Sequence, residues 1–131
     1  MTALSHIAST GTFKVPPLSV AVRAGNMVFV SGTPGYHKDG RIDSEFGAQF
    51  DQAVVTLEEV LALACSSMQL LVKVNVLLTR LEDVAEMNRR YGEAFGPAPY
   101  PARTTAVVLS LPDPRMLIEI ECVALAGENT I

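Results

Sequence analysis

The sequence predicts an α+β fold in which two helices pack on one face of a mixed β-sheet. Stretches with alternating apolar residues are typical of half-buried strands, and they flank two longer stretches with apolar residues every three or four positions. In chain order the predicted elements are β-β-α-β-α-β-β. Because no repeat, low-complexity tract or linker interrupts the 131 residues, we expect one domain over residues 1–131.

The first two predicted strands form a hairpin. Val20–Arg23 and Met27–Ser31 are short and apolar, and Ala24-Gly25-Asn26 joins them with residues that tolerate a positive φ. The segment Ser31-Gly32-Thr33-Pro34-Gly35 is rich in turn-forming residues. We therefore expect the second strand to end there.

The first predicted helix extends from about Phe46 to Ala64, where apolar residues recur with helical spacing. Asp43 or Ser44 is expected to cap its N-terminus. The helix ends near Cys65 without the glycine that often terminates a helix.

A strand and a second helix follow. Leu71–Thr79 alternates between apolar and other residues, which predicts a strand with one buried side. Glu82 or Asp83 opens the helix, and Gly96 follows it. Asn88 is a polar amide within the apolar stripe of this helix. Two interpretations remain open: a core hydrogen bond to a neighbouring backbone group, or a side chain that lines a pocket.

The last two predicted strands, Thr104–Ser110 and Met116–Leu125, carry the most informative charges. Arg103 lies at the start of one strand and Glu119 lies within the other. A guanidinium group binds a carboxylate or phosphate bidentately, and a glutamate in a partly apolar wall can deprotonate a water. This combination suits hydrolysis of a small carboxylic acid.

A structural interpretation of the same charges also remains open. Arg103 and Glu119 would pair with each other if their strands were adjacent, a contact that contributes roughly 0.2–1 kcal/mol. Glu121 would then be an edge charge that discourages aggregation. The residue pattern by itself does not exclude this alternative.

Composition excludes several classes of function. The net charge is −4, and no basic run interleaves with aromatic residues, so nucleic acid is not an expected partner. Cys65 and Cys122 are too few for a disulfide framework and are expected to be buried thiols. His6 and His37 do not have the spacing of a zinc site. Without a signal peptide or an apolar run of about 18 residues, we expect a soluble, cytoplasmic protein and no membrane partner.

Six short segments of the chain match those of a known family: residues 21–26, 28–32, 72–76, 87–91, 101–104 and 118–121. Through them the chain resembles the Rid (reactive intermediate deaminase, YjgF-type) family from about Pro17 to Leu125. The resemblance implies a homotrimer of chorismate-mutase-like subunits around a central barrel, with clefts between subunits. Such a trimer would also cover the partly apolar sheet face that the helices leave open.

The resemblance also implies a 2-iminobutanoate/2-iminopropanoate deaminase-like activity. Arg103 would bind the carboxylate of an enamine or imine acid, and Glu119 would activate the attacking water. Ser31, Gly32 and Asn88 would line the same cleft. The products would be a 2-oxo acid and ammonia, with no metal or organic cofactor.

Two cleft positions depart from the family pattern. Thr105 lies where the best-known members have a cysteine, and Leu18 replaces a tyrosine that closes the cleft. The change at Leu18 favours an alternative substrate, a longer unsaturated acid such as 2-aminomuconate, or aminoacrylate. A non-catalytic trimer that binds 2-oxo acids is a further alternative. The family's older endoribonuclease activity fits the acidic charge least well.

Overall fold

The computed structural model describes residues 3–12 and 14–128. Within these ranges the chain forms six strands and two α-helices, which confirms the predicted α+β class. Their bounds are β1 Leu4–Ile7, β2 Ala21–Ala24, β3 Met27–Pro34, α1 Phe46–Leu63, β4 Leu71–Leu78, α2 Val84–Phe95, β5 Ala102–Val107 and β6 Ile118–Leu125.

The strands form one mixed sheet in the order β1-β2-β3-β6-β4-β5. Only the β4–β5 pair is parallel among the strand pairs of the described residues. Both helices cover one face of the sheet, as predicted. On that face Val74, Val76 and Leu78 of β4 are fully buried, because the period-2 alternation directs them all to the same side.

The sequence did not predict β1, which pairs antiparallel with β2 along its whole length. Of its four residues only Ile7 is buried. A short edge strand with a single buried side chain shows too little alternation to be recognised from the sequence.

The prediction that β3 ends at Ser31 was wrong. The strand continues to Pro34, and the pairing register with β6 shifts between Val30 and Thr33. The turn-forming residues thus produce a bulge inside the strand instead of ending it. Pro34 is the last residue of the strand, beyond the residues of β3 that pair with β2, a position at which a sheet tolerates proline.

The last two strands also differ from their predicted bounds. The fifth strand begins at Ala102 and ends at Val107, earlier than predicted, because its parallel pairing with β4 spans Lys73 to Leu78. The sixth begins at Ile118, two residues later than predicted. Strand partners, which lie far apart in the sequence, determine these limits.

The predicted cap of α1 was wrong as well. Its N-cap residue is Glu45, which makes no side-chain capping bond. Asp43 instead binds the imidazole of His37, with 2.8 Å between Oδ2 and Nε2. The N-cap of α2 is Asp83, one of the two predicted residues, and its carboxylate accepts hydrogen bonds from Arg80.

Candidate active site

Three neutral groups of α2 hold the Arg103 guanidinium at the edge of the sheet. Its Nη2 donates a hydrogen bond of 2.7 Å to Oδ1 of Asn88. Its Nη1 lies 3.6 Å from the sulfur of Met87, and its Cζ lies 4.6 Å from the ring centroid of Tyr91. A guanidinium at that distance from an aromatic ring makes a cation–π contact.

No carboxylate among the described residues forms a salt bridge with Arg103, although its side chain is exposed. By contrast, Arg80, Arg90 and Arg115 all lie within 3 Å of an acidic side chain. The charge of Arg103 is therefore fixed in position and not neutralised. Such a group suits binding of an anionic ligand.

The structure excludes one of the two interpretations of Asn88. Its side chain is exposed on α2 and contacts Arg103, so it is not a core amide bonded to backbone. Thr105 follows Arg103 two positions later, on the same side of β5. The Thr105 hydroxyl oxygen is buried and has no hydrogen-bond partner among the described residues.

Glu119 lies elsewhere, on the central strand β6, where it is opposite Pro34 of β3 and Leu77 of β4. The side chain is half-buried, and no hydrogen-bond donor among the described residues reaches its carboxylate. Burial, and secondarily the charge of Glu121, raise the pKa of Glu119. A Cβ atom on Gly32 would overlap this carboxylate, so the bulge in β3 makes room for it.

A groove of about 930 Å³ contains the Glu119 carboxylate. Leu18, Ser31 and Gly32 line the same groove, and the Leu18 side chain is about half exposed. Ser31 Oγ donates a hydrogen bond of 2.6 Å to the carbonyl oxygen of Ser19, which fixes the segment that carries Leu18 against β3. Arg103 does not line this groove.

Within one chain, Arg103 and Glu119 lie on opposite faces of the sheet. In the pairing register Arg103 is opposite Val74 and Glu119 is opposite Leu77. Because these β4 positions are three residues apart, their side chains point to different faces. The alternative interpretation, an ion pair between Arg103 and Glu119 on adjacent strands, is excluded because β4 lies between the two strands.

Glu121 is not an edge charge either. It lies on β6, between β3 and β4, and accepts a hydrogen bond of 3.1 Å from Nδ2 of Asn75. The predicted site residues thus form two separate sets, defined here as the arginine set and the glutamate set. The arginine set is Arg103, Asn88 and Thr105, and the glutamate set is Glu119, Gly32, Ser31 and Leu18.

Sequence reasoning did not assign Tyr91 and Met87 to the site. Both are buried on α2, and their apolar spacing indicated core packing only. The spacing could have indicated Tyr91, because it follows Asn88 by three positions and therefore lies on the same helix face as that candidate residue.

The remaining cysteine and histidine side chains offer no alternative centre. Burial raises the pKa of Cys122 to about 12, so its thiol stays protonated and unreactive. Cys122 is buried, whereas Cys65 is only partly buried, so the expectation that both thiols are buried was wrong for Cys65. Over residues 3–12 and 14–128, no three His, Cys, Asp or Glu side chains group as metal ligands would.

Comparison with known proteins identifies the family to which this chain belongs. A family model described as Endoribonuclease L-PSP matches residues 13–126, so the chain belongs to this family, and the predicted Rid membership is confirmed. Protein mmf2, mitochondrial, from Schizosaccharomyces pombe is 38% identical over 82% of this chain and 86% of its own length. Reactive Intermediate Deaminase A, chloroplastic, from Arabidopsis thaliana is 37% identical over 82% of this chain and 58% of its own.

The fold is also that of the family. The crystal structure of yeast Mmf1 superposes with a TM-score of 0.87 at 29% identity, covering 95% of this chain and all of that one. No helix among the described residues is both long and apolar enough to span a bilayer. Because mmf2 is named as mitochondrial, the cytoplasmic location of this chain stays a prediction.

Proposed function

We propose that this protein hydrolyses small enamine or imine carboxylic acids to 2-oxo acids and ammonia. One observation carries the proposal: Arg103 presents a guanidinium that only neutral groups hold and that no carboxylate among the described residues neutralises. A fixed, unpaired cation of this shape fits the carboxylate of an amino-acid-derived substrate. The family relationship to a protein named Reactive Intermediate Deaminase A supports the same chemistry.

Glu119 would supply the proton transfers. Its carboxylate takes a proton from a water molecule as the water oxygen bonds to the carbon of the protonated C=N group. The carbinolamine collapses in three linked events: Glu119 returns that proton to nitrogen, the C–N bond breaks as ammonia leaves, and the carbinolamine hydroxyl gives its own proton to the Glu119 carboxylate, which yields the 2-oxo acid. Glu119 then passes this last proton to the departing ammonia. The raised pKa of Glu119 makes it a better proton acceptor than an exposed glutamate.

The arginine and glutamate sets lie on opposite sheet faces, so we propose that each site forms between two copies of the chain. A homotrimer would place the arginine set of one copy beside the glutamate set of its neighbour. The open sheet face supports self-association, because its apolar side chains lack cover from the helices. Phe29, for example, is 48% exposed on this face, opposite Val123.

The wall of the groove favours a second candidate substrate class. Leu18 contributes an apolar side chain without a hydroxyl to this wall. The carbon chain of a longer unsaturated acid of the 2-aminomuconate type would pack against it. Turnover of such an acid well above that of 2-iminopropanoate would support this class.

Two non-deaminase functions make different predictions. A binding protein for 2-oxo acids would bind them through Arg103 without turnover. An endoribonuclease, as in the description of the family model, would need to bind RNA, which the net charge of −4 opposes.

The deciding experiment measures ammonia release from freshly generated 2-iminopropanoate by the wild type, Glu119→Gln and Arg103→Ala. We expect strong wild-type turnover and a loss of at least about 100-fold in both variants, with their assembly state unchanged in sedimentation. Glu58→Gln, on the exposed side of α1, is the matched control and should retain activity. Full activity of Glu119→Gln would exclude the proposed mechanism, and wild-type inactivity towards both acid classes would exclude hydrolysis.

A further inference from the structure

An aromatic stack on α2 lies behind the Arg103 guanidinium. Tyr91 is 5% exposed and stacks on Phe95, with 4.1 Å between ring centroids and 13° between ring planes. Tyr100 packs against Tyr91 at 6.4 Å. Asn88, Tyr91 and Phe95 share one helix face because they are spaced three and four residues apart.

This arrangement restricts Arg103 in two directions. The Tyr91 ring backs one face of the guanidinium at 4.6 Å, and Asn88 occupies one of its N–H groups at 2.7 Å. Nη1 also contacts the Met87 sulfur at 3.6 Å, and no oxygen acceptor among the described residues other than Asn88 binds the guanidinium, so donors remain for a ligand. A long, otherwise mobile side chain is thereby held in one orientation before any ligand arrives.

The Tyr91 hydroxyl is not part of this restriction. It is buried, and among the described residues it has no hydrogen-bond partner. Burial also raises the pKa of the phenol, so Tyr91 acts on Arg103 through the face of a neutral ring. Phenylalanine should therefore replace Tyr91 in this role.

We infer that Tyr91 is a positioning residue, whose ring orients the Arg103 guanidinium to bind the substrate carboxylate. The inference rests on the proposed function, because it assumes that Arg103 binds a carboxylate. It extends that function to a buried residue that does not itself touch the ligand.

The test compares Tyr91→Leu and Tyr91→Met with Tyr91→Phe. Binding of 2-oxobutanoate is measured by calorimetry, and kcat and KM are measured with the corresponding imino acid. We expect Kd and KM to rise about 5- to 20-fold in the two non-aromatic variants, with kcat within about threefold. Tyr91→Phe should keep both constants within about twofold of wild type.

Two controls separate positioning from general damage. Phe46→Leu removes a buried aromatic residue of α1 that packs on Phe50, and it should leave Kd unchanged. In an Arg103→Lys background, Tyr91→Leu should add less than about twofold, because lysine has no planar group to orient. The inference is overturned if folded Tyr91→Leu binds normally, if Phe46→Leu weakens binding equally, or if the effect persists beside Arg103→Lys.

A spectroscopic readout keeps the inference separate from the proposed function. The ring current of Tyr91 should shift the Arg103 Nε–H resonance of the wild type, and the shift should vanish in Tyr91→Leu or Tyr91→Met but persist in Tyr91→Phe. If the wild type neither binds 2-oxobutanoate nor hydrolyses imines, the proposed function is wrong, whatever the Arg103 resonance shows. A random-coil Arg103 resonance in the wild type would overturn the positioning role directly.

Discussion

Gly32 lies against the Glu119 carboxylate, and a methyl group at this position would overlap it. We expect Gly32→Ala to displace the carboxylate and to lower kcat/KM for imine hydrolysis by about 10- to 100-fold. Steady-state ammonia release measures the loss.

Gly92→Ala is the matched control for this substitution. Gly92 lies within α2, and the nearest atom to an added Cβ is the Tyr100 hydroxyl at an ordinary 3.7 Å. Alanine there should stabilise the helix by about 0.5–1 kcal/mol and leave activity intact. Equal activity of the two alanine variants would show that the close approach of Gly32 to the Glu119 carboxylate does not affect catalysis.

Glu119 also predicts a dependence of stability on pH. Its pKa in the folded chain lies above the usual 4.5, chiefly through burial, so the folded state binds the proton more tightly than the unfolded state. Its contribution to stability is therefore present below pH 4.5 and is lost as pH rises through the folded pKa. We expect Glu119→Gln to melt at a higher temperature than the wild type at pH 7.

Calorimetric Tm values at pH 4 and pH 7 test this prediction. The difference between Glu119→Gln and the wild type should shrink at pH 4, because the raised pKa makes the wild-type carboxyl group more protonated there than at pH 7. Glu58→Gln should show no such difference at either pH, since Glu58 is exposed. A Glu119→Gln variant that is less stable at pH 7 would mean that the carboxylate has a stabilising partner.

At the scale of one element, the C-terminus of α1 shows how a local motif tolerates an unusual residue. The N–H of Ser66 binds the carbonyl of Leu61 at 2.8 Å, and the N–H of Cys65 binds that of Ala62 at 3.0 Å. This is the Schellman arrangement, which requires a left-handed residue after the cap. Cys65 adopts that conformation with φ of 58°, where glycine is usually found.

We expect Cys65→Gly to stabilise the protein by about 1 kcal/mol, because glycine adopts a positive φ without steric cost. Equilibrium unfolding in urea measures the change. Ala64→Gly is the control: Ala64 has φ of −89°, so glycine there gains nothing and should destabilise the chain. Destabilisation by Cys65→Gly would show that the packing of the cysteine side chain outweighs the backbone strain.

The sequence predicted correctly those turns and helix ends that depend on only a few neighbouring residues. Gly25 has φ of 60° in the predicted hairpin turn, and α2 ends at Phe95, immediately before Gly96. The bulge at Ser31 and Gly32 was predicted as a strand end, because the same turn-forming residues suit both outcomes. The strand continues past the bulge because Thr33 pairs with Ile120 of β6. No local sequence pattern indicates this pairing between residues far apart in the chain.

At the scale of the whole molecule, the separation of Arg103 and Glu119 predicts complementation between inactive variants. Arg103→Ala and Glu119→Gln should each be inactive when assembled alone. Mixed assemblies should regain activity, because some sites combine Arg103 from one copy with Glu119 from its neighbour. Random mixing of equal amounts restores about a quarter of all sites, and in cyclic trimers that contain both variants about one site in three is restored.

Co-expression of the two variants with different tags, followed by tandem purification, provides the mixed assemblies for the ammonia assay. The control mixes the Arg103→Ala, Glu119→Gln double variant with one of the single variants. Every copy in such an assembly lacks Arg103, or every copy lacks Glu119, so the assembly should stay inactive. Inactive mixed assemblies would show that each site takes both residues from one chain.

The sequence by itself determined the α+β class, the helix-covered face of the sheet and the family, because periodicity and short motifs record which side of each element is buried. The tertiary structure alone decided that β6 lies between β3 and β4 and that Arg103 and Glu119 face opposite sides of the sheet. Strand order depends on pairing between residues far apart in the chain, which local periodicity does not encode. The same distant pairing placed Glu119 against Gly32 and left Arg103 on Tyr91.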